Sequence, residues 1–390
     1  MNLEDFLTLP TFNFDEQKQE FINHMDMLKG MSNEEYTLYK KWVEVQKYTH
    51  YSDISATIKS NIWTPTDLND KDLTVAEINS INPEITLVGP ESPSFEEWLI
   101  LRIFVHTMEF EQGPGRFIRF LITDKTSGKY LGLASLASDI INLGTRDEWI
   151  GWDRHTKETL HKANHTAVAT TIVPTQPFGY NFLGGKLVAS MLCCKKARDA
   201  WQTTYGDELV GITTTSLYGT HSMYQRIPYW KEIGETVGRI FLKPDDKYYN
   251  VWREWLIENR HDKFMSKTRT SANGLVTAVK QKTLTMILQE LQLSQAYYMH
   301  GFKRGVYYAP LYENTKDFLC NKITSDQLKL SKNLQNDMSS ILDWWRPKAI
   351  NRYLKLHSES RLKPDILFYN RMINTEWEDA KTQFISEVGR

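Results

Sequence analysis

Cysteine is scarce in this chain: three in 390 residues, at Cys193, Cys194 and Cys320. Adjacent Cys193 and Cys194 cannot form an ordinary disulfide with each other, and no CxxC pair is present, so the sequence offers neither a disulfide framework nor a cysteine zinc motif. Apolar runs near the ~18 residues needed to cross a bilayer are also missing, so no membrane span is expected. The start, MNLEDFLTLPTFNFDEQ, is acidic with a broken apolar pattern, unlike a secretory signal. A soluble, reduced, cytoplasmic protein is the expectation. Charge of one sign is lacking too. The formal net charge of -1 excludes a generally basic coat but leaves room for a local basic face. Neither the dinucleotide fingerprint GxGxxG nor the P-loop GxxxxGK[ST] occurs, and there is no internal repeat or low-complexity tract.

What is plentiful is aromatic. The chain carries 12 Trp, 19 Tyr and 17 Phe, rings that suit a core and also suit surfaces that stack on bases. With 41% apolar and 24% charged residues it can bury an ordinary core. Helical spacing dominates residues 14–50, where Phe21, Met25 and Leu28 share a face and Ser32 with Glu35 form a capping box. Residues 51–92, broken by Pro65, Pro83 and Pro90, read as a connector with short elements. FEEWLILRIFVHTM follows as an apolar helix. RFIRFLITDKTSGKYLGLASLAS is a hairpin signal, two apolar runs around Asp124 to Gly128. Strands are expected at 167–174 and 208–217, with one helix from about 187 to Trp201 between them, and a short helix or turn returning to a strand near 229–244. Beyond about 248 the chain reads as helical again, interrupted by the aromatic run GFKRGVYYAPLY at 301–312. A strand–helix–strand crossover beside an antiparallel hairpin implies a mixed sheet in an α+β layout. Three regions follow: a helical region and connector at 1–94, an α+β core at 95–247, and a mainly helical extension at 248–390.

The stretch TQPFGYNFLGGKLVAS (175–190) carries the functional question. A loop that leaves a strand and enters a helix through glycines turns backbone N–H groups towards the positive end of the helix dipole, where an anion is stabilised. On that reading Gln176, Gly179, Gly184, Gly185 and Lys186 hold an anionic donor. On the other, Gly184 and Gly185 only let the helix pack closely on the sheet. Ser216, Tyr218, Ser222 and Tyr224 crowd the turn after the 208–217 strand. Ser216, Tyr218 and Tyr224 are the catalytic candidates, the tyrosines as proton donors; the alternative is that these hydroxyls cap a turn. Arg146, Trp149 and Trp152, near Asp147, form either a base-recognition pocket or a buried Arg–Asp pair inside a tryptophan core. Lys303 and Arg304 beside Tyr307 and Tyr308 interleave cations with rings, as a nucleic-acid surface does. His161 and His165 are spaced i, i+4, but His165 falls at a strand start, so no metal site is expected.

The order hairpin, strand, glycine-containing loop, helix, strand resembles the GNAT acyltransferase fold. There the loop after the fourth strand, Q/R-x-x-G-x-G/A, holds the pyrophosphate of acyl-coenzyme A. Gln176 and Gly179 match the first two positions, and Asn181 stands where the last Gly or Ala would be. The blocks RDEWIGWD (146–153), NHTAVATTIVP (164–174), WQTTYGDELVGITTTSLYG (201–219) and IPYWKEIGETVGRI (227–240) resemble, in sequence order, those of the Druantia anti-phage DruA family and its phage and transposon relatives. That resemblance covers about residues 100–245. A more distant similarity is to the phage Mom protein, a GNAT-related modifier of adenine in DNA. These resemblances imply a GNAT-like mixed-sheet core and a transferase that modifies a nucleic acid base, DNA being the favoured partner, as protection against restriction. The donor they imply is acyl-coenzyme A or another anionic molecule. The rival is a non-catalytic nucleic-acid-binding component of a phage or anti-phage system, and a protein acyltransferase is third.

Overall fold

The computed structural model describes residues 12–110, 113, 115–216, 222–236, 241–269 and 279–387. The chain forms two compact units, one of Met1–Tyr36 with Val237–Phe302, the other of Thr37–Thr236 with Lys303–Arg390. Helices open the chain: α1 (Phe14–Gly30), α2 (Asn33–Val45), α3 (Ser52–Ser60) and α4 (Lys71–Ser80). Their starts follow from capping chemistry. Asn13 and Asp70 accept from the backbone N–H groups of Glu16 and Leu73, and Ser32 and Glu35 make the expected reciprocal box at 3.0 and 3.1 Å.

The larger unit is built on one seven-stranded sheet. The proline-broken connector supplies its first strand, β1 (Pro83–Val88), followed by α5 (Phe95–Val105) and the hairpin β2 (Phe117–Asp124) and β3 (Tyr130–Ser138). The hairpin turn is held by the Asp124 carboxylate, which accepts from Thr126 N–H, Ser127 N–H and the Ser127 hydroxyl, and Gly128 takes the left-handed conformation at φ 71°. Next come α6 (Gly144–Ile150), β4 (Thr166–Pro174), α7 (Phe178–Phe182), α8 (Gly184–Met191), α9 (Lys195–Tyr205), β5 (Gly211–Thr215) and β6 (Lys231–Glu235). The single helix expected over 187–201 is two, α8 and α9, because the chain turns at Leu192–Cys194 and both cysteines are packed into the core at that bend.

The smaller unit contributes α1 together with α10 (Asp246–Asn259), α11 (His261–Thr268) and α12 (Val279–Glu290). Its centre is Trp252, 1% exposed, with Phe14 edge-on at 5.2 Å and Trp255 at 5.8 Å. The larger unit resumes with β7 (Gly305–Pro310), α13 (Thr315–Leu319), α14 (Asp337–Ser358) and α15 (Trp377–Phe384).

The strands lie in the order β1-β2-β3-β4-β5-β7-β6. All neighbours are antiparallel except β4 and β5, which run parallel and are in register only from Thr166↔Gly211 to Val168↔Thr213. The fold is therefore α+β with a mixed sheet. Residues of α8, α9 and α14 cover one face through Leu187, Val188, Trp201 and Trp345, while α5 and the chain around Tyr369 and Phe384 cover the other through Trp98, Leu101 and Phe104. With helices on both faces, β3 is apolar along nearly its whole length rather than alternating. Among the described residues, no helix is long and apolar enough to cross a membrane.

Candidate functional site

The β4–α8 connection is packed by the chain's own side chains. Thr175 returns to β3, its N–H donating to Leu131 O at 2.9 Å. Gln176 folds back, its side-chain oxygen accepting from Tyr180 N–H at 2.9 Å. Leu183 then adopts a left-handed conformation at φ 55°, and α8 begins at Gly184. Each glycine has a close neighbour that a side chain would displace. A Cβ at Gly179 would lie 2.7 Å from the Gln176 amide nitrogen, at Gly184 2.4 Å from the Phe178 ring, and at Gly185 2.4 Å from Met223 Sδ. Lys186 reaches across to the segment before β6, its Nζ donating to Met223 O at 2.9 Å and Gln225 O at 2.5 Å. Burial, reinforced by Arg226 and Lys348, lowers its pKa to about 8. Asn181 has a role the sequence did not reveal. Its amide donates to Lys363 O at 2.7 Å and accepts from Lys363 N–H at 3.0 Å, tying the loop to a segment 182 residues later in the chain.

Tyr224 stands beside this connection, next to the place where β4 and β5 part. Thr214 near the end of β5 donates to Ala169 O of β4 at 3.1 Å and also hydrogen-bonds the Tyr224 side chain. The phenol is 8% exposed and lies between the rings of Trp230 at 5.7 Å and Tyr307 at 5.3 Å. Burial pushes its pKa up to about 12, so it stays protonated across the physiological range. Tyr224, Gln225, Arg226, Trp230 and Glu232 line a depression of about 400 Å³. Ser216 is buried against β7, its hydroxyl accepting from Gly305 N–H at 2.8 Å. Ser222 accepts from Tyr224 N–H at 3.1 Å. Tyr218 lies outside the described residues.

The third group is a buried charge network beneath β5 and β7. Arg146, 1% exposed, bridges Asp139 at 2.7 Å and Asp147 at 2.6 Å. Asp147 also accepts from Trp152 Nε1 at 2.9 Å and pairs with Lys157 at 2.8 Å. Burial alone would push the Asp147 carboxyl up, but hydrogen bonds from Lys157, Arg146 and Trp152 outweigh it and hold it below the usual carboxylate range. Of the two arrangements the sequence allowed, this is the Arg–Asp pair inside an aromatic core, with Trp152 at 8% exposure. Trp149 is half-buried at its edge, with Lys316 Nζ 4.0 Å from the ring centre and Tyr308 at 5.0 Å.

Tyr307 and Tyr308 point to opposite faces of β7, which pairs on both sides, and both are fully buried. The Tyr308 hydroxyl sits over Gly211, where a Cβ would be 1.8 Å away. Lys303 is exposed, while Arg304 is half-buried and its backbone N–H donates to the Thr236 hydroxyl at 3.1 Å. The structure thus brings Gln176, Gly179, Gly184, Gly185, Lys186 and Tyr224 together, and places Arg146, Trp149, Trp152 and Tyr308 in a separate cluster. Among the described residues, no group of His, Cys, Asp and Glu could hold a metal ion. Burial raises the pKa of the Cys193 thiol, and that of Cys194 to about 11, so neither is a ready thiolate.

A model of the family described as "Druantia protein DruA" matches residues 33–321. A Druantia protein DruA of Escherichia coli is 29% identical over 260 residues, covering 61% of this chain and 62% of that protein. The alignment therefore spans less than two thirds of that relative's length. No solved structure matches the chain significantly.

Proposed function

The chain belongs to the Druantia DruA family, and on that premise we propose that it is a transferase that modifies a nucleic acid base, built on a GNAT-like sheet. One observation carries the reading. The only parallel strand pair among the described residues, β4–β5, keeps register over three positions, and beside its opening stand a protonated phenol, Tyr224, and the Lys186 ammonium group. A group-transfer reaction needs a proton donor for the leaving group and a positive charge for an anionic donor, acyl-coenzyme A being one such molecule. Tyr224 suits the first role because burial keeps its proton in place until a stronger base forms beside it. Lys186 suits the second. Two of its three ammonium protons are used by Met223 O and Gln225 O, which leaves one directed elsewhere, and Arg226 and Lys348 add to the local positive charge.

A second reading is a non-catalytic nucleic-acid-binding component of an anti-phage system. The observation in its favour is that Phe178 and Met223 cover the glycines of the β4–α8 connection, where a donor would approach the backbone. Mass spectrometry of nucleosides from cells making the protein separates the two. The transferase reading expects a modified base that falls by about 10²-fold or more with Tyr224→Phe. A folded wild-type protein that binds nucleic acid and leaves every nucleoside unmodified supports the second reading. Undiminished modification in the Phe variant removes Tyr224 from the reaction.

A further inference from the structure

The rings first considered for nucleic acid, Trp152, Tyr307 and Tyr308, are inside the protein. Cations and half-exposed rings come together elsewhere, along α14 and the Tyr180 end of the β4–α8 connection. α14 buries Trp345, Ala349, Tyr353 and Leu356 on one side. Trp345 Nε1 donates to Phe182 O at 3.1 Å, which fixes the helix against α7. The flank beside that buried row carries Trp344, Lys348 and Arg352 at i, i+4 and i+8, so they lie in one row at steps of about 6 Å, with Trp344 partly buried against the core. The row alternates ring and cation: Lys348 Nζ is 5.5 Å from the Trp344 ring centre, and the Arg352 guanidinium is 5.1 Å from that of Tyr180.

The clamp at Asn181 completes the group. By holding the Lys363 backbone on the loop it sets Lys363 Nζ 4.8 Å from the Tyr180 ring centre, and Arg361 hydrogen-bonds the Tyr180 side chain. The carboxylates that reach these cations are Glu359, which takes Arg361 at 2.8 Å and Lys355 at 3.8 Å, and Glu387, which takes Lys363 at 2.9 Å. Lys348 and Arg352 have no carboxylate partner among the described residues. Lys348 instead adds positive charge at Lys186. Two unneutralised cations one helical step apart, continued by Arg361 and Lys363, match a partner with anions repeated at a short regular interval. Successive phosphates along one strand have that chemistry. α14 lies outside the residues the family model matches.

We infer that the face formed by Trp344, Lys348, Arg352 and Tyr180 docks a strand of nucleic acid through its phosphodiester backbone. This rests on the reading that the protein acts on nucleic acid, and it names where the strand lies. Contacts of this kind position a strand rather than read its sequence.

The test is binding of labelled single-stranded DNA, the matching duplex and polyglutamate over a salt series. The proteins are the full chain, Lys348→Gln/Arg352→Gln, and a charge-matched control, Lys329→Gln/Lys332→Gln, each checked by circular dichroism. Each phosphate contact on a single strand contributes about 0.7 to the slope of log affinity against log salt. The α14 variant is therefore expected to lose about 1.4 of that slope, and the control none. Tyr180→Ala, which disperses the gathered cations, is expected to weaken binding at low salt by a further roughly 5- to 150-fold. Wild-type binding to DNA with an unchanged slope in the α14 variant overturns the docking face and leaves the nucleic-acid reading standing. Absence of DNA binding by the wild type overturns both. Polyglutamate held as tightly as DNA overturns the assignment of this face to a nucleic acid.

Discussion

Replacing Arg146 by leucine removes the cation shared by two carboxylates, and the structure says how that loss divides. Asp139 has 1% of its side chain exposed and meets Arg146 at 2.7 Å. Without the arginine it keeps the Thr213 hydroxyl at 3.0 Å and Ile140 N–H at 2.8 Å but has no countercharge. Asp147 keeps Lys157 and Trp152. Breaking a buried ion pair from one side costs about 3–5 kcal/mol, mostly the penalty of the charge left behind. Leucine also fills less of the space under Trp152, whose ring centre lies 5.3 Å from the guanidinium, so the upper half of that range is expected. Adding Asp139→Asn to the leucine variant removes the stranded charge and should restore about 1–3 kcal/mol. Urea unfolding followed by tryptophan fluorescence measures both steps. The pH dependence gives a second check. In the native protein Asp147 is held below its ordinary value, so its contribution is complete above about pH 4 and is lost as pH falls through its folded pKa. The variant lacks one source of that depression, so the gap between the proteins should be full at neutral pH and narrow in acid. A leucine variant that loses under about 1 kcal/mol, or a gap of constant size down to acid pH, would refute the argument.

Two further outcomes are expected. Lys186 ionises near pH 8 when folded and near 10.5 when unfolded, so between those values the unfolded chain binds more protons and stability gains from this group as pH rises; Lys186→Met should abolish that gain, and identical pH profiles for the two proteins would assign the slope to other groups. Asn181→Gly, which supplies the small residue of the GNAT loop pattern, removes both bonds to Lys363 and should cost about 1–3 kcal/mol while speeding tryptic cleavage after Arg361. Unchanged cleavage would mean that other contacts hold the segment.

How much was legible follows from the range of the interactions. The hairpin, β4 and the Ser32–Glu35 box are local, and apolar runs bounded by turn residues, with the Ser–Glu spacing of a cap, announced them. The bend between α8 and α9 was hidden because Leu192, Cys193 and Cys194 are apolar and continue a helical pattern across it; packing decides it, not propensity. Tyr307 and Tyr308 looked like a stacking surface because they follow Lys303 and Arg304. GVYYAP is nonetheless apolar at every position, the mark of a strand buried on both faces, and β7 is such a strand. The spacing of Trp344, Lys348 and Arg352 was readable in the sequence. Their meeting with Tyr180 was not, because it depends on Asn181 and Lys363, and nothing local links residues that far apart.

The pairing order of the last strands bears on how the protein is made. Between β6 and β7 the chain leaves the larger unit at Thr236 and returns at Lys303. The two ends of this excursion are a hydrogen bond apart, Thr236 N–H donating to Arg304 O at 2.8 Å. In sequence, the residues between are therefore an insertion between two paired strands. A ribosome delivering this chain from its N-terminus releases β5 and β6 well before the strand that must lie between them. Until β7 emerges, β5 offers an unpaired edge of Gly211 to Thr215, its backbone donors and acceptors open to any passing strand. The nascent protein thus carries an unfinished sheet for the time needed to add some seventy residues, a matter of seconds at roughly 5–20 residues per second, and that interval is when it is most exposed to mispairing.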